Sequence, residues 1–203
     1  VYTEEPEVKL PELINTYNIE NVYLQKEWTF EERLVVDGVK TNCPASVEFI
    51  ETYDQFLIHP EDLPYPSFDK IPEVFTQWRK KCEKQANIRK TVEVQPLDPE
   101  NLLGETTAIP SLEELGLESF EVDERTAFPF KGGELQALKR VEHYFWETKN
   151  LARYKKTRNG LVGKEYSSKL SAWLANGSIS PRTIYYEVKQ FEKEETKNDS
   201  TYW

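Results

Sequence analysis

Helix-like and strand-like patterns of apolar residues alternate in the amino-terminal part of the chain. Leu10, Ile14 and Tyr17 recur at the spacing of one helix face, and residues 19–25 then have the composition of a short strand. A second helix is predicted for residues 28–36. The order of helix, strand and helix is typical of an α/β protein.

A glycine and two further apolar runs complete this region. Gly38 is placed to end the second helix, because glycine adopts the left-handed conformation that closes many helices. Strands are then predicted at residues 47–51 and 55–58. We therefore expect an α/β fold over residues 1–60, in which two or three strands supply only a part of a doubly wound sheet.

A long segment follows at residues 61–125, and its residues 88–110 show little periodicity. Within it, Val74 and Trp78 mark one face of a helix, and Ser111 with Glu114 forms the capping-box signature of a short helix. Irregular connections of this length are uncommon in compact domains unless they have a role of their own, such as wrapping around another part of the protein. We predict that this segment connects two domains.

The remaining residues, 126–203, predict helices alone. An apolar face is predicted to run for about five turns of one helix, through Leu135, Leu138, Val141, Phe145, Thr148 and Ala152. Ser180 and Pro181 are the residue types preferred at the N-cap and the first position of a helix. The predicted fold class is therefore an α/β region followed by an all-α region.

The composition is that of a soluble folded chain. Aromatic residues make up 13% of the 203 residues, more than a disordered chain carries. No apolar run reaches the roughly eighteen residues of a membrane span, and the first residues lack a secretory signal, so we expect an intracellular protein with no membrane segment. The two Cys and two His have no metal-binding spacing and predict no metal site. The absence of Met predicts a piece of a longer protein.

The overall net charge of −10 conceals a basic carboxyl-terminal part. Residues 131–203 carry a net charge of +5, and residues 149–169 contain seven Lys and Arg against the single acid Glu165. A cluster of this kind suits a partner that carries phosphates. The alternative is a solvated loop with scattered lysines, and composition alone does not separate the two.

Residues 154–182 combine this basic charge with glycines and hydroxyls. Ser167, Ser168 and Ser171 are predicted to lie in the first turn of a short helix, where hydroxyls and main-chain N–H groups suit a pyrophosphate. An ordinary helix cap after a soluble loop explains the same residues. No Ser or Cys is paired with a His in a nucleophile motif, so no catalytic residue is predicted.

Several passages resemble the cryptochrome/photolyase family and, within it, the DASH-type cryptochromes. They are RTAFPFKGGE at 125–134, the stretch from ALKRVEHYFW to SPRTIYYEV at 137–188, and NDSTYW at 198–203. A weaker resemblance extends back to residue 7. Taken over the whole chain, the resemblance implies three regions. They are the carboxyl-terminal part of a Rossmann-like α/β antenna domain at 1–60, an interdomain connector at 61–125, and the start of a helical FAD-binding domain at 126–203.

The resemblance also implies binding residues. The side chains and main chain that would hold FAD are those of Tyr154, Ser167, Ser168, Lys169, Leu170 and Ser171. Those that would contact the DNA backbone are Lys155, Lys156 and Arg158. Glu27 matches the acid that binds an antenna pterin, 5,10-methenyltetrahydrofolate, and its alternative role is that of a surface acid on a helix.

The function implied by the resemblance is that of a deoxyribodipyrimidine photo-lyase. Such a protein uses blue light and FAD to repair cyclobutane pyrimidine dimers by electron transfer, here chiefly in UV-damaged single-stranded DNA and as a monomer. This chain alone is expected to be inactive, because family helices that complete the site have no counterpart in it. One alternative is a blue-light receptor of the same fold that signals through a partner. Another is an interaction module without flavin.

Overall fold

The computed structural model describes residues 1–104 and 107–197. The NDSTYW motif at 198–203 lies outside the described residues. Within the two described ranges, no helix has both the length and the apolar character needed to cross a membrane.

Contacts between residues divide the chain into two compact units. The first unit contains residues 1–54 and 93–119, and the second contains residues 55–92 and those from 120 onward. Each unit thus includes part of the segment predicted to be a connector. The predicted domain boundaries at residues 60 and 125 stay predictions.

The first unit contains a parallel pair of strands joined through a helix. Its elements are α1 (Pro6–Tyr17), β1 (Asn21–Gln25), α2 (Phe30–Asn42) and β2 (Glu48–Thr52). The strands pair in register, Asn21 beside Glu48 and Gln25 beside Thr52. Helix α2 supplies the crossover that a parallel connection requires. The α/β character predicted for this part of the chain is confirmed.

The predicted end of the second helix at Gly38 was wrong, because α2 continues to Asn42. The reason is tertiary. A β-carbon placed on Gly38 would lie 2.7 Å from Cγ of Glu7, so the glycine allows α1 and α2 to approach closely. The strand predicted at 55–58 is also wrong, since those residues form bends instead.

The second unit is helical. Its α-helices are α3 (Phe75–Gln85), α4 (Glu134–Val141), α5 (Tyr154–Thr157), α6 (Ser171–Ala175) and α7 (Pro181–Glu195). Helix α7 begins as predicted, with Pro181 at its first position and the Ser180 hydroxyl accepting from Arg182 N at 3.2 Å. The largest fully buried side chains of the core are Tyr144, Phe145, Trp173 and Phe191.

Only part of the apolar face predicted from Leu135 onward is buried, because Val141 and Phe145 lie in the core whereas Leu135 and Leu138 do not. Leu135 is 73% exposed and Leu138 is 41% exposed, whereas Ala137 is fully buried. The α-helix also stops at Val141, and its next turn, Glu142–Glu147, is a π-helix. Wider turns of this kind change which side chains face the core, and they occur often at functional sites.

Candidate functional site

The basic, glycine-containing segment folds into a loop between α5 and α6. Helix α5 is a single turn that includes Tyr154, and Tyr154 packs half-buried against the helical core. Gly160 then approaches Tyr166 so closely that a β-carbon on Gly160 would lie 2.8 Å from Cβ of Tyr166. The glycine is therefore needed for the loop to close over the tyrosine ring.

Arg140 of α4 reaches into this loop from the buried side. The Arg140 residue is 3% exposed, and its guanidinium donates to main-chain carbonyls of the loop. Nε donates to Ser168 O at 3.0 Å, and Nη2 donates to Ser167 O at 3.1 Å and to Lys164 O at 2.8 Å. One side chain thus anchors the segment that sequence analysis assigned to cofactor binding.

Glu165 neutralises the buried guanidinium. Nη1 of Arg140 lies 3.1 Å from Oε1 of Glu165, and Asn150 Nδ2 donates to Oε2 of the same carboxylate at 3.0 Å. His143 Nε2 lies 3.4 Å from Oε1 of Glu165. Burial would raise the pKa of the Glu165 carboxyl, but the bonds and charge of Arg140, with His143 and Asn150, lower the pKa below its usual range.

Two aromatic rings enclose the guanidinium. The guanidinium carbon of Arg140 lies 4.9 Å from the ring centroid of Phe130 and 4.9 Å from that of Tyr144. A planar cation between two rings gains cation–π attraction in a place where water cannot screen it. The loop is therefore held by charge, hydrogen bonds and ring contacts at one point.

The backbone changes hand just before α6. Lys169 has a positive φ of 62°, and Leu170, which follows it, is right-handed with φ −80° and ψ −10°. A left-handed residue beside a right-handed one turns successive main-chain N–H groups toward one side, as in anion-binding concavities. The ammonium of Lys169 lies 3.4 Å from the ring centroid of Tyr166.

The position of the serines differs in part from the prediction. Helix α6 begins at Ser171, so Ser167 and Ser168 lie in the loop before it and not in its first turn. The reason is that their carbonyls are bound by Arg140 and do not enter a helical ladder. Hydroxyls, main-chain N–H groups and one lysine nevertheless occur within residues 167–171, and this donor set suits a diphosphate.

Lys155, Lys156 and Arg158 extend from α5 and the start of the loop. All three are exposed. Among the described residues, none of the three has an acidic partner at ion-pair distance, so their charges face solvent. The neighbouring Arg153 has a side-chain partner, since its guanidinium donates to the amide oxygen Oδ1 of Asn150 at 2.9 Å.

Glu27 belongs to the first unit. It lies in the connection between β1 and α2, not on a helix, and Gln25 Nε2 donates to its carboxylate at 3.0 Å. It borders a cavity of about 190 Å³. The other residues lining this cavity are Lys26, Arg33, Val36, Asp37, Lys40 and Glu51. Complete pockets for small molecules usually measure about 300–1,000 Å³, so this cavity is smaller than a complete pocket of that kind.

Sequence reasoning missed Arg140, Glu165 and Gly160. A charged residue in an apolar pattern is normally assigned to the exposed face, so the hydrophobic periodicity gave no reason to bury Arg140. The one available signal was that Glu165 is the single acid in a run of seven basic residues.

The chain is similar in sequence and in fold to known proteins. Residues 1–100 match the family described as DNA photolyase. Over 98% of the chain, the cryptochrome DASH of Xenopus laevis is 43% identical, and the cryptochrome DASH of Gloeobacter violaceus is 41% identical. The solved cryptochrome of Synechocystis sp. PCC6803 superposes with a TM-score of 0.87 at 39% identity, covering 98% of this chain and 41% of that chain.

A more distant structure has the same fold. The class III photolyase of Agrobacterium tumefaciens superposes with a TM-score of 0.67 at 19% identity, over 95% of this chain and 39% of that chain. The chain belongs to the cryptochrome/photolyase family. Within this family it groups with the DASH cryptochromes, and it spans between 38% and 40% of the length of three such relatives.

Proposed function

We propose that the protein is a blue-light flavoprotein and that residues 154–171 hold the FAD. The observation that carries the proposal is the set of donors at Ser167–Ser171, where the backbone turns left-handed at Lys169 and hydroxyls and a cation lie on the same short segment. Family membership supports it independently. Tyr154, half-buried against the core, would contact the nucleotide.

The loop residues have binding roles in this proposal. Ser167, Ser168 and Ser171 donate through their hydroxyls, Lys169 supplies positive charge, and buried Leu170 fixes the segment to the core. When bound, FAD supplies the light-driven electron for opening the cyclobutane ring of a pyrimidine dimer. The chain's own residues bind and orient the cofactor.

The exposed cations supply the surface for DNA. Lys155, Lys156 and Arg158 bind backbone phosphates, which positions damaged DNA without reading its sequence. We propose cyclobutane pyrimidine dimers in single-stranded DNA as the substrate. Glu27 and the cavity beside it are proposed to hold the ring of an antenna pterin, 5,10-methenyltetrahydrofolate.

The test uses the whole gene product that contains this chain. The purified protein should absorb as a flavoprotein and, under blue light but not in darkness, restore a UV-damaged single-stranded oligonucleotide. Purified protein without flavin would contradict the proposal at its centre. Bound flavin without repair would instead favour a receptor that signals through a partner.

A further inference from the structure

The guanidinium of Arg140 fixes the direction of two peptide groups in the loop. The carbonyls of Ser167 and Ser168 accept from it at 3.1 and 3.0 Å. In a trans peptide, the C=O of one residue and the N–H of the next point in opposite directions. No cis peptide occurs among the described residues, so the N–H groups of Ser168 and Lys169 point away from the guanidinium.

This hold also explains the conformation of Lys169. A φ of 62° is unfavourable for a residue with a β-carbon. Such strain persists only where the surroundings determine it from both sides. On one side Arg140 binds the carbonyl of Ser168, and on the other Leu170 is buried, only 4% exposed.

We propose that Arg140 is a positioning residue for the flavin diphosphate. By binding the carbonyls of Ser167 and Ser168, it keeps the next two N–H groups turned out of the core and available to the anion. The proposal rests on the proposed function, in which Ser167–Ser171 hold FAD. Arg140 itself acts through the loop backbone and is not assigned a contact with the cofactor.

The geometry requires an arginine in particular. The planar fork binds the carbonyls of Lys164, Ser167 and Ser168 together, while Phe130 and Tyr144 lie at 4.9 Å from its centre. A lysine retains the charge but presents one compact ammonium that cannot span the same acceptors in one plane. Arg140→Lys therefore separates charge from positioning.

The experiment compares two flavins on the apoprotein of the whole gene product. Dissociation constants for FAD and for riboflavin, which has no diphosphate, are measured by fluorescence titration. We expect Arg140→Lys to weaken FAD binding about tenfold or more and to change riboflavin binding less than about threefold. The control is Arg79→Lys, which alters an exposed ion pair with Glu83 on α3.

Each other outcome has a distinct meaning. Equal weakening of both flavins would mean that Arg140 only stabilises the fold, and unchanged FAD binding would overturn the positioning role alone. Failure of the unsubstituted protein to bind FAD would overturn the proposed function and this inference together.

A measurement on the unsubstituted protein covers the case in which Arg140→Lys does not fold. Hydrogen exchange of the main-chain amides is followed with and without FAD. The amides of Ser168 and Lys169 should exchange rapidly in the apoprotein and become protected when FAD binds. Amides that are already protected without FAD would overturn the inference.

Discussion

Nη1 of Arg140 lies 3.1 Å from Oε1 of Glu165, and this ion pair joins the buried face of α4 to the loop between α5 and α6. The two ends differ in environment, because the arginine side chain is 2% exposed and the glutamate side chain is 37% exposed. Removing the carboxylate leaves a desolvated cation without its counter-charge. The packing of the helix and the position of the loop are therefore coupled.

The first prediction concerns the pH dependence of this pair. The folded-state pKa of Glu165 lies below the ordinary value of 4.5, so its carboxylate stabilises the fold above that pH, and this contribution is lost as the pH falls through the folded-state pKa. We expect Glu165→Gln to lower the free energy of unfolding by about 1 kcal/mol at pH 7, a value reduced for solvent exposure. Urea unfolding across pH 3 to 7 measures it.

The control for this prediction is Glu83→Gln. Glu83 pairs with Arg79 at the surface, and both side chains are 48% exposed, so we expect a change of less than about 0.5 kcal/mol. A difference between Glu165→Gln and the unsubstituted protein that stays constant down to pH 3 would contradict the assigned coupling.

The second prediction concerns the contact of α1 with α2. Gly38→Ala in an exposed helix would stabilise by about 1 kcal/mol, but here the new methyl would meet Cγ of Glu7, so we expect a loss of about 1–3 kcal/mol. Adding Glu7→Ala should restore most of that loss. The measurement is a double-mutant cycle by urea unfolding, with Gly132→Ala as a control at a glycine that has open space around it. Additive effects of the two substitutions would refute the contact.

The third prediction concerns the serines of the loop. Ser168→Ala and Ser171→Ala each remove a hydroxyl donor to a charged group, so each should weaken FAD binding by about 1.5–3 kcal/mol. Flavin absorbance per protein after purification of the whole gene product measures retention. Ser46→Ala, an exposed serine of the first unit, is the control. Full flavin occupancy in the doubly substituted protein would exclude these hydroxyls from the site.

The fourth prediction concerns DNA. Substituting Lys155 and Arg158 by Gln should weaken binding to single-stranded DNA and reduce the slope of log K against log salt by about 0.7 per lost phosphate contact. Binding titrations at several salt concentrations give the slope. The control is the pair Lys80→Gln and Lys84→Gln, which removes equal charge from exposed positions of α3. An equal effect of both pairs would indicate that only net charge matters.

The fifth prediction concerns the antenna chromophore. Glu27→Gln keeps the shape of the side chain and removes the charge beside the cavity, so the pterin should be lost while FAD is retained. Absorption spectra of the purified whole protein report both chromophores. Glu48→Gln, at an exposed position of β2, is the control. If the pterin is retained in Glu27→Gln, the role of Glu27 is excluded.

The sequence by itself determined the elements whose signals are local. Both strands of the parallel pair were predicted, because short runs of apolar and β-branched residues are a local signal for a strand, although the similar run at residues 55–58 forms none. The start of α7 was predicted at Ser180 and Pro181, because a cap forms between residues two or three positions apart. The family was also recognised from motifs, and the comparisons confirm it.

Only the tertiary structure decided which faces are buried and how the candidate site is supported. Gly38 lies within a helix because a second helix passes close to it, and Leu135 is exposed because Ala137 and Arg140 face the core instead. Nothing within a few residues of Arg140 specifies its contacts with Ser167 and Ser168, which lie 27 and 28 residues further along the chain. Hydrophobic periodicity assigns charges to solvent, and a buried cation is stable only through distant carbonyls, rings and a carboxylate that folding brings together.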